Sequence, residues 1–366
     1  MQGSRSVPPG YFSVKDVSGL GETQADDATG THTESVSPSD RLLARRVVGA
    51  YTGATIADVA PVVGRGEVNQ VHVVTTGDDA RFGVRSRKRA ELDRYHKEAW
   101  TIEQADAAGV PVAPVLTTGE TGQRAWMLQP FLRGTPGDEV EAARHEQVWR
   151  AIGTQMRRIH AIPVSGFGET LEDLTEGNEA RWRKYLAYNL GELTASDPLL
   201  ELGVLDRGAQ AHLCELFEAL ATRPVRLGLC YGDLSLKNVV VRDRSVQVID
   251  WGCAHGHLVP HYDLGVVLAD SLIEHTAEFA ALLDGYGIHP TSFRRDIRPD
   301  VLALGALEAV DKVRWAFDRN RSRLAVLAAR LATALRASGT CHQPVSDAAP
   351  PASESPAPGA AGSAWR

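Results

Sequence analysis

The chain has 366 residues and an apolar share of 43%, enough for one large or two modest domains with a sizeable core. A formal net charge of −7 argues against nucleic-acid binding, which needs a basic stripe, and no apolar run is long enough to span a bilayer. The 4 cysteines form no CxxC pair and have no histidine at zinc-finger spacing, so neither a disulfide framework nor a zinc site is expected.

Residues 1–40 and 338–366 are rich in small and polar residues and proline, and both are expected to be disordered tails. The N-terminus lacks the apolar run of a signal peptide, so a cytoplasmic location is expected. Gly19-Leu20-Gly21 has no strand before it and is not a dinucleotide fingerprint, and there is no GxxxxGK[ST] loop. Between 41 and 134 the pattern predicts short strands at 55–63, 68–75, 81–87, 115–118 and 125–128, around one helix at 90–108. Leu92, Tyr95, Ala99 and Ile102 fall on one face of that helix, with Glu98 at the edge of the face. Gly64-Arg65-Gly66 joins the first two predicted strands, and such a turn lets backbone N–H groups approach phosphates closely. From 135 to 337 the pattern is mostly helical. A small β-rich lobe followed by a larger helical one is a bilobal α+β architecture.

One tight hairpin interrupts the helical half. Tyr231-Gly232-Asp233 is followed by Asn238, five residues after Asp233. Val239-Val240-Val241 and Val246-Gln247-Val248-Ile249 flank a polar turn, and Asp250-Trp251-Gly252 follows. Short β-branched runs on either side of a polar turn read as a hairpin. The hairpin returns Asp250 to the end that holds Asn238. That end then carries an amide carbonyl and two carboxylates. Magnesium takes few, hard oxygen ligands from a protein and fills the rest with phosphates and water. Phosphoryl transfer also needs a carboxylate to orient or deprotonate the attacking hydroxyl. Asp233 fits that role, and Asn238 and Asp250 fit the metal.

The segment 231–252 resembles the aminoglycoside phosphotransferase and choline-kinase-like family, whose pattern is HGD-x4-N followed by an IDW or IDF metal loop. The resemblance covers most of the chain between about 50 and 320 and implies the protein-kinase-like fold. It implies Asp233 as catalytic base and Asn238 and Asp250 as magnesium ligands. Tyr231 departs from the pattern, which has His there; that residue mostly packs the catalytic loop, as an aromatic can. Asp263 sits where the family has an aspartate that hydrogen-bonds the loop, and Lys237 could reach a phosphate oxygen or face solvent. Gly64, Gly66 and Asn69 match the family's phosphate loop. Arg85 stands on the strand that normally carries the ATP-binding lysine, with Glu98 as its ion-pair partner; Arg87 and Lys88 remain alternatives for the cation. The segment 126–134 resembles the hinge between lobes, with adenine paired to the carbonyl of Gln129 and the N–H of Phe131.

His160, near a helix end, is expected to pack or cap, and His255, His257 and His261 to lie in a mobile surface loop. Asp270, Glu274, Glu308, Asp311 and Trp315 are candidates to face an acceptor, although Glu308 and Lys312 also suit an (i, i+4) pair on a solvated helix face. The expected function is transfer of the γ-phosphoryl of ATP, with Mg2+, to a hydroxyl of a small molecule. The favoured acceptor is an aminoglycoside or related sugar-containing antibiotic. Alternatives are a choline-like, sugar or amino-acid acceptor, or a non-catalytic nucleotide-binding pseudokinase. No nucleic-acid or membrane partner is expected, and the oligomeric state is left open.

Overall fold

The computed structural model describes residues 38–62, 70–168, 177–243 and 245–339. Apart from 38–40 and 338–339, the tails expected at 1–40 and 338–366 lie outside the described residues. The first half forms a five-stranded sheet in the order β1-β2-β3-β5-β4. Its strands are β1 (Ile56–Pro61), β2 (Gln70–Thr76), β3 (Arg81–Lys88), β4 (Thr117–Thr121) and β5 (Arg124–Pro130). All neighbours pair antiparallel.

Alternation along these strands sorts side chains onto two faces. Val84 of β3 and Leu128 of β5 pack with Leu43, Ala44, Val47 and Val48 of helix α1 (Pro38–Thr52). On the other face, Ala125 and Met127 of β5 pack with Tyr95 of α2 (Leu92–Ala107). Arg85, next to Val84, therefore points toward α2. Helix α1 corrects the sequence reading, which has a tail to residue 40 and then only short strands before α2. Its buried residues recur at helical spacing, and Gly53, with φ of 69°, follows its last residue. Arg124 fastens α1 to the sheet through a two-pronged ion pair with buried Asp40.

The second half is mostly helical: α3 (His145–Ile159), α4 (Asn178–Glu192), α5 (Pro198–Glu201), α6 (Arg207–Thr222), α7 (His261–Asp270), α8 (Ala277–Tyr286), α9 (Pro290–Ser292), α10 (Arg298–Arg319) and α11 (Leu324–Ala337). One apolar core lies between α3 and α8 and runs beneath the hairpin, through Trp149, Ile152, Leu282, Tyr231, Val239 and Trp251. A second joins α4, α6, α10 and α11 through Trp182, Phe217, Leu307 and Leu331. The expected hairpin is β8 (Val239–Arg242) with β9 (Ser245–Val248), extended by the short β6 (Thr135–Pro136). The sequence reading lacks a further pair, β7 (Leu227–Cys230) with β10 (His255–Leu258). The whole is a small antiparallel N-lobe on a larger helical C-lobe, the α+β bilobal class expected. No helix among the described residues is long and apolar enough to cross a membrane.

Helices α3 and α8 approach closely because each presents a glycine to the other. A Cβ at Gly153 would stand 2.1 Å from the Leu282 carbonyl oxygen, and one at Gly285 would stand 1.9 Å from that of Arg150. Backbone cannot yield as a side-chain tip can. Gly153→Ala should therefore lower stability by about 1–3 kcal/mol, the range for overpacking. Thermal unfolding checks it; an unchanged Tm would mean that the helices separate freely.

Candidate active site

Strand β7 leads directly into Tyr231-Gly232-Asp233. Asp263, fully buried in the first turn of α7, accepts hydrogen bonds from the N–H groups of Tyr231 and Gly232, both at 2.8 Å. It also pairs with His160 Nε2 at 2.9 Å, and His160 Nδ1 lies 3.1 Å from the Tyr286 hydroxyl. Burial alone would raise the Asp263 carboxyl; His160 and the two amides outweigh it and hold it below its ordinary value. His160 is thus a buried packing residue that braces Asp263. Gly232 has φ of 86°, and a Cβ there would meet the Cys253 carbonyl oxygen at 2.5 Å, so the turn excludes a side chain.

Asp233 follows at once. Asn238 donates through Nδ2 to the Asp233 backbone oxygen and to Asp233 Oδ2, each at 2.8 Å. Both partners are acceptors, so the amide nitrogen must face them. Its Oδ1 is turned elsewhere and accepts no hydrogen bond among the described residues. Lys237 Nζ lies 3.5 Å from Asp233 Oδ2, with half its side chain exposed. Burial pushes the Asp233 carboxyl above its ordinary value, against Lys237 and Asn238, which pull it down.

The β8–β9 hairpin brings the second carboxylate back. Val239 lies opposite Val248, and the Ile249 N–H donates to the Asn238 carbonyl at 3.0 Å. Asp250 comes next, in the left-handed region with φ of 61°. The Tyr231 hydroxyl donates to the carbonyl oxygens of Ile249 and, at 2.9 Å, Asp250. Burial, with the charges of Asp250 and Asp233, pushes this phenol well up, so it stays a donor. The site thus offers the Oδ1 of Asn238 and the half-exposed carboxylate of Asp250. Two hard oxygen donors, with open positions for phosphate and water, fit magnesium.

On the N-lobe side, Arg85 reaches two carboxylates at once. Its guanidinium pairs with Glu98 Oε1 and, at 2.8 Å through Nη2, with Asp250 Oδ1. Glu98 is wholly buried on α2, not at the edge of its apolar face. Arg87 instead stacks on Tyr95 at 4.9 Å, and Lys88 is exposed. Of the three candidate cations, Arg85 is the one that faces Asp250. Gly64, Gly66 and Asn69 lie outside the described residues.

The hinge requires a correction. The Phe131 N–H donates to the Arg81 carbonyl at 2.9 Å, and Gln129 lies opposite Gly83 in the same ladder. Hydrogen-bonded pairs alternate along an antiparallel ladder, so the backbone groups of Gln129 and Phe131 both face β3. The Gln129 side chain is engaged too, donating to Ala113 O at 2.8 Å. The outward backbone groups are the Pro130 carbonyl and the Leu132 N–H, one residue further on. A proline at 130 has no N–H to place in the ladder, and this was the available signal for the shift.

His255, His257 and His261 are also corrected: the first two are buried on β10 and the third opens helix α7, rather than all three lying in a surface loop. His257 Nδ1 accepts the Leu258 N–H, and its Nε2 lies 3.3 Å from Glu308 Oε1 on α10. Glu308 therefore faces β10, not a solvated surface. One turn on, burial and Glu308 push the Asp311 carboxyl up to about 6, against a hydrogen bond with Tyr185. Glu274 is occupied by Arg298 at 2.7 Å.

Comparison with known proteins gives a consistent result. The model of the phosphotransferase enzyme family matches residues 59–296. The streptomycin 3''-kinase of Streptomyces griseus is 29% identical over 217 residues, which is 55% of this chain and 74% of that protein. A macrolide 2'-phosphotransferase from Brachybacterium faecium superposes with a TM-score of 0.55 at 17% identity, over 84% of this chain and 100% of the other. A thermostable aminoglycoside phosphotransferase mutant, in ternary complex with AMP-PNP and hygromycin B, gives 0.58 at 18% identity, over 81% and 99%. At these identities the structural likenesses establish the fold.

Proposed function

Because the chain belongs to the phosphotransferase enzyme family and is a small-molecule phosphotransferase, we propose that it moves the γ-phosphoryl of ATP to a hydroxyl of an aminoglycoside or related sugar-containing antibiotic. The observation that carries the reading is the gathering of Asp233, Asn238 and Asp250 at one end of a hairpin, with Arg85 pinned on Glu98 and facing Asp250. Asp233 takes the acceptor's proton or orients its hydroxyl; a carboxyl raised toward neutrality is the better base. Asn238 and Asp250 would hold magnesium, which when bound supplies positive charge against the phosphates. Arg85, permanently charged and forked, suits phosphate oxygens. Gly64, Gly66 and Asn69 are assigned to the phosphate loop, and the Pro130 carbonyl and Leu132 N–H to adenine. In this assignment the nucleotide belongs to the N-lobe, 41–134 with the start of α1, and catalysis and the acceptor belong to 135–337.

The acceptor class rests on one support, the relative from Streptomyces griseus, which is a streptomycin kinase. The chain would then inactivate an antibiotic within the cytoplasm.

A coupled ADP-release screen over aminoglycosides, other antibiotics and small alcohols tests this. ADP release with an aminoglycoside is expected. Release only with a choline-like, sugar or amino-acid acceptor would move the chain to that class. No release with any acceptor, with nucleotide binding retained, would make it a non-catalytic nucleotide binder.

A further inference from the structure

We propose that Tyr231 is a positioning residue that sets the backbone of Asp250 and, through it, the affinity of the site for its divalent metal. The inference rests on the reading of Asn238 and Asp250 as metal ligands.

Tyr231 is held at both ends. Its N–H is fixed by buried Asp263 at 2.8 Å, and its hydroxyl spans the chain to the carbonyls of Ile249 and Asp250. The ring between is fully buried and stands edge-on against Trp251, 5.2 Å between centroids. One side chain therefore joins the loop carrying Asp233 to the loop carrying Asp250.

Where it attaches is informative. Asp250 has φ of 61°, a conformation that a residue with a Cβ avoids unless its surroundings impose it. That turn sends the backbone out of β9 and points the Asp250 carboxylate toward Arg85. The hydroxyl grips the two carbonyls that flank the φ and ψ rotations of this residue. Without it, the strained conformer loses a restraint and the carboxylate loses its fixed direction, while the apolar packing of the ring is kept. Groups that orient a metal ligand without touching the metal typically change affinity by about 10–100-fold when removed.

The test is Mn2+ binding to the ADP complex, followed by electron paramagnetic resonance, with ADP affinity measured separately in the absence of metal. Tyr231→Phe should weaken Mn2+ binding by about tenfold or more and leave metal-free ADP binding within about twofold. Tyr231→His, which keeps a ring N–H donor, should recover most of the loss. A folded Tyr231→Phe protein that binds Mn2+ as tightly as the wild type overturns the proposal. If the phenylalanine variant does not fold, the histidine variant decides. Retained Mn2+ affinity supports the hydroxyl as a replaceable donor, and loss of more than about tenfold overturns it. Wild-type protein that binds no Mn2+ with ADP would remove the metal-site reading and this inference together. Unchanged binding in Tyr231→Phe removes this inference alone.

Discussion

Asp233→Asn should lower acceptor-dependent ADP formation by about 10²–10⁴-fold, the usual contribution of a positioned acid or base. The substitution is close to isosteric. An amide oxygen at 233 can still accept from Asn238 Nδ2, which now lies 2.8 Å from Asp233 Oδ2, so the loop has no geometric reason to move. What disappears is a proton acceptor. Stability should hold, because the partly buried carboxylate stands beside Asp250, which also raises it, and the cation it pairs with is half-exposed Lys237 at 3.5 Å. A pair open to solvent on one side is worth on the order of 1 kcal/mol. The expected pattern is therefore a fall in kcat with little change in Tm or in the KM for ATP. Steady-state kinetics with the acceptor found by the ADP-release screen measures it. Wild-type turnover would remove Asp233 from the mechanism.

The hairpin end that gathers Asp233, Asn238 and Asp250 was legible because its signal is local. Two β-branched runs around a polar turn fix the hairpin, and the hairpin alone fixes which side chains share an end. Asn238 and Asp250 could thus be placed together without knowing what packs around them. The features that escaped depend on partners distant in sequence. His255 and His257 look like polar residues of a loop until β7 supplies a ladder and Glu308, on a helix some 50 residues later, supplies a partner. The hinge register depends on which backbone groups β3 consumes, and a one-residue shift exchanges inward for outward groups. Helix α1 was different: its apolar spacing was visible, but it joins a polar tail directly, so composition hid it. Arg85 lies between these cases. Alternation allows Arg85 and Arg87 to share a face, and only the structure separates them, since one meets Glu98 and Asp250 while the other stacks on Tyr95.

Asp250→Asn should cost on the order of 10³-fold in kcat, because a metal's charge in phosphoryl transfer stabilises the transition state by several kcal/mol. The amide could still occupy the same volume and keep the left-handed turn, since Asn tolerates that conformation nearly as well as Asp. The loss would be in charge. ATP affinity in the presence of Mg2+ should fall, while affinity in its absence should stay near the wild-type value. Equal affinities with and without metal in the wild-type protein would favour the non-catalytic reading. Arg85 makes the substitution more informative, because it also contacts Asp250 Oδ1 at 2.8 Å. If Asp250 served mainly to hold Arg85, the variant would lose stability and phosphate binding together, with or without metal. Half of the Asp250 side chain is exposed, so solvent screens its side of the pair although the Arg85 side chain is buried. Glu98, fully buried, remains to hold the guanidinium. A large loss of activity at nearly unchanged Tm, confined to the metal-dependent part of nucleotide binding, assigns Asp250 to the metal. A loss equal in both conditions assigns it to Arg85.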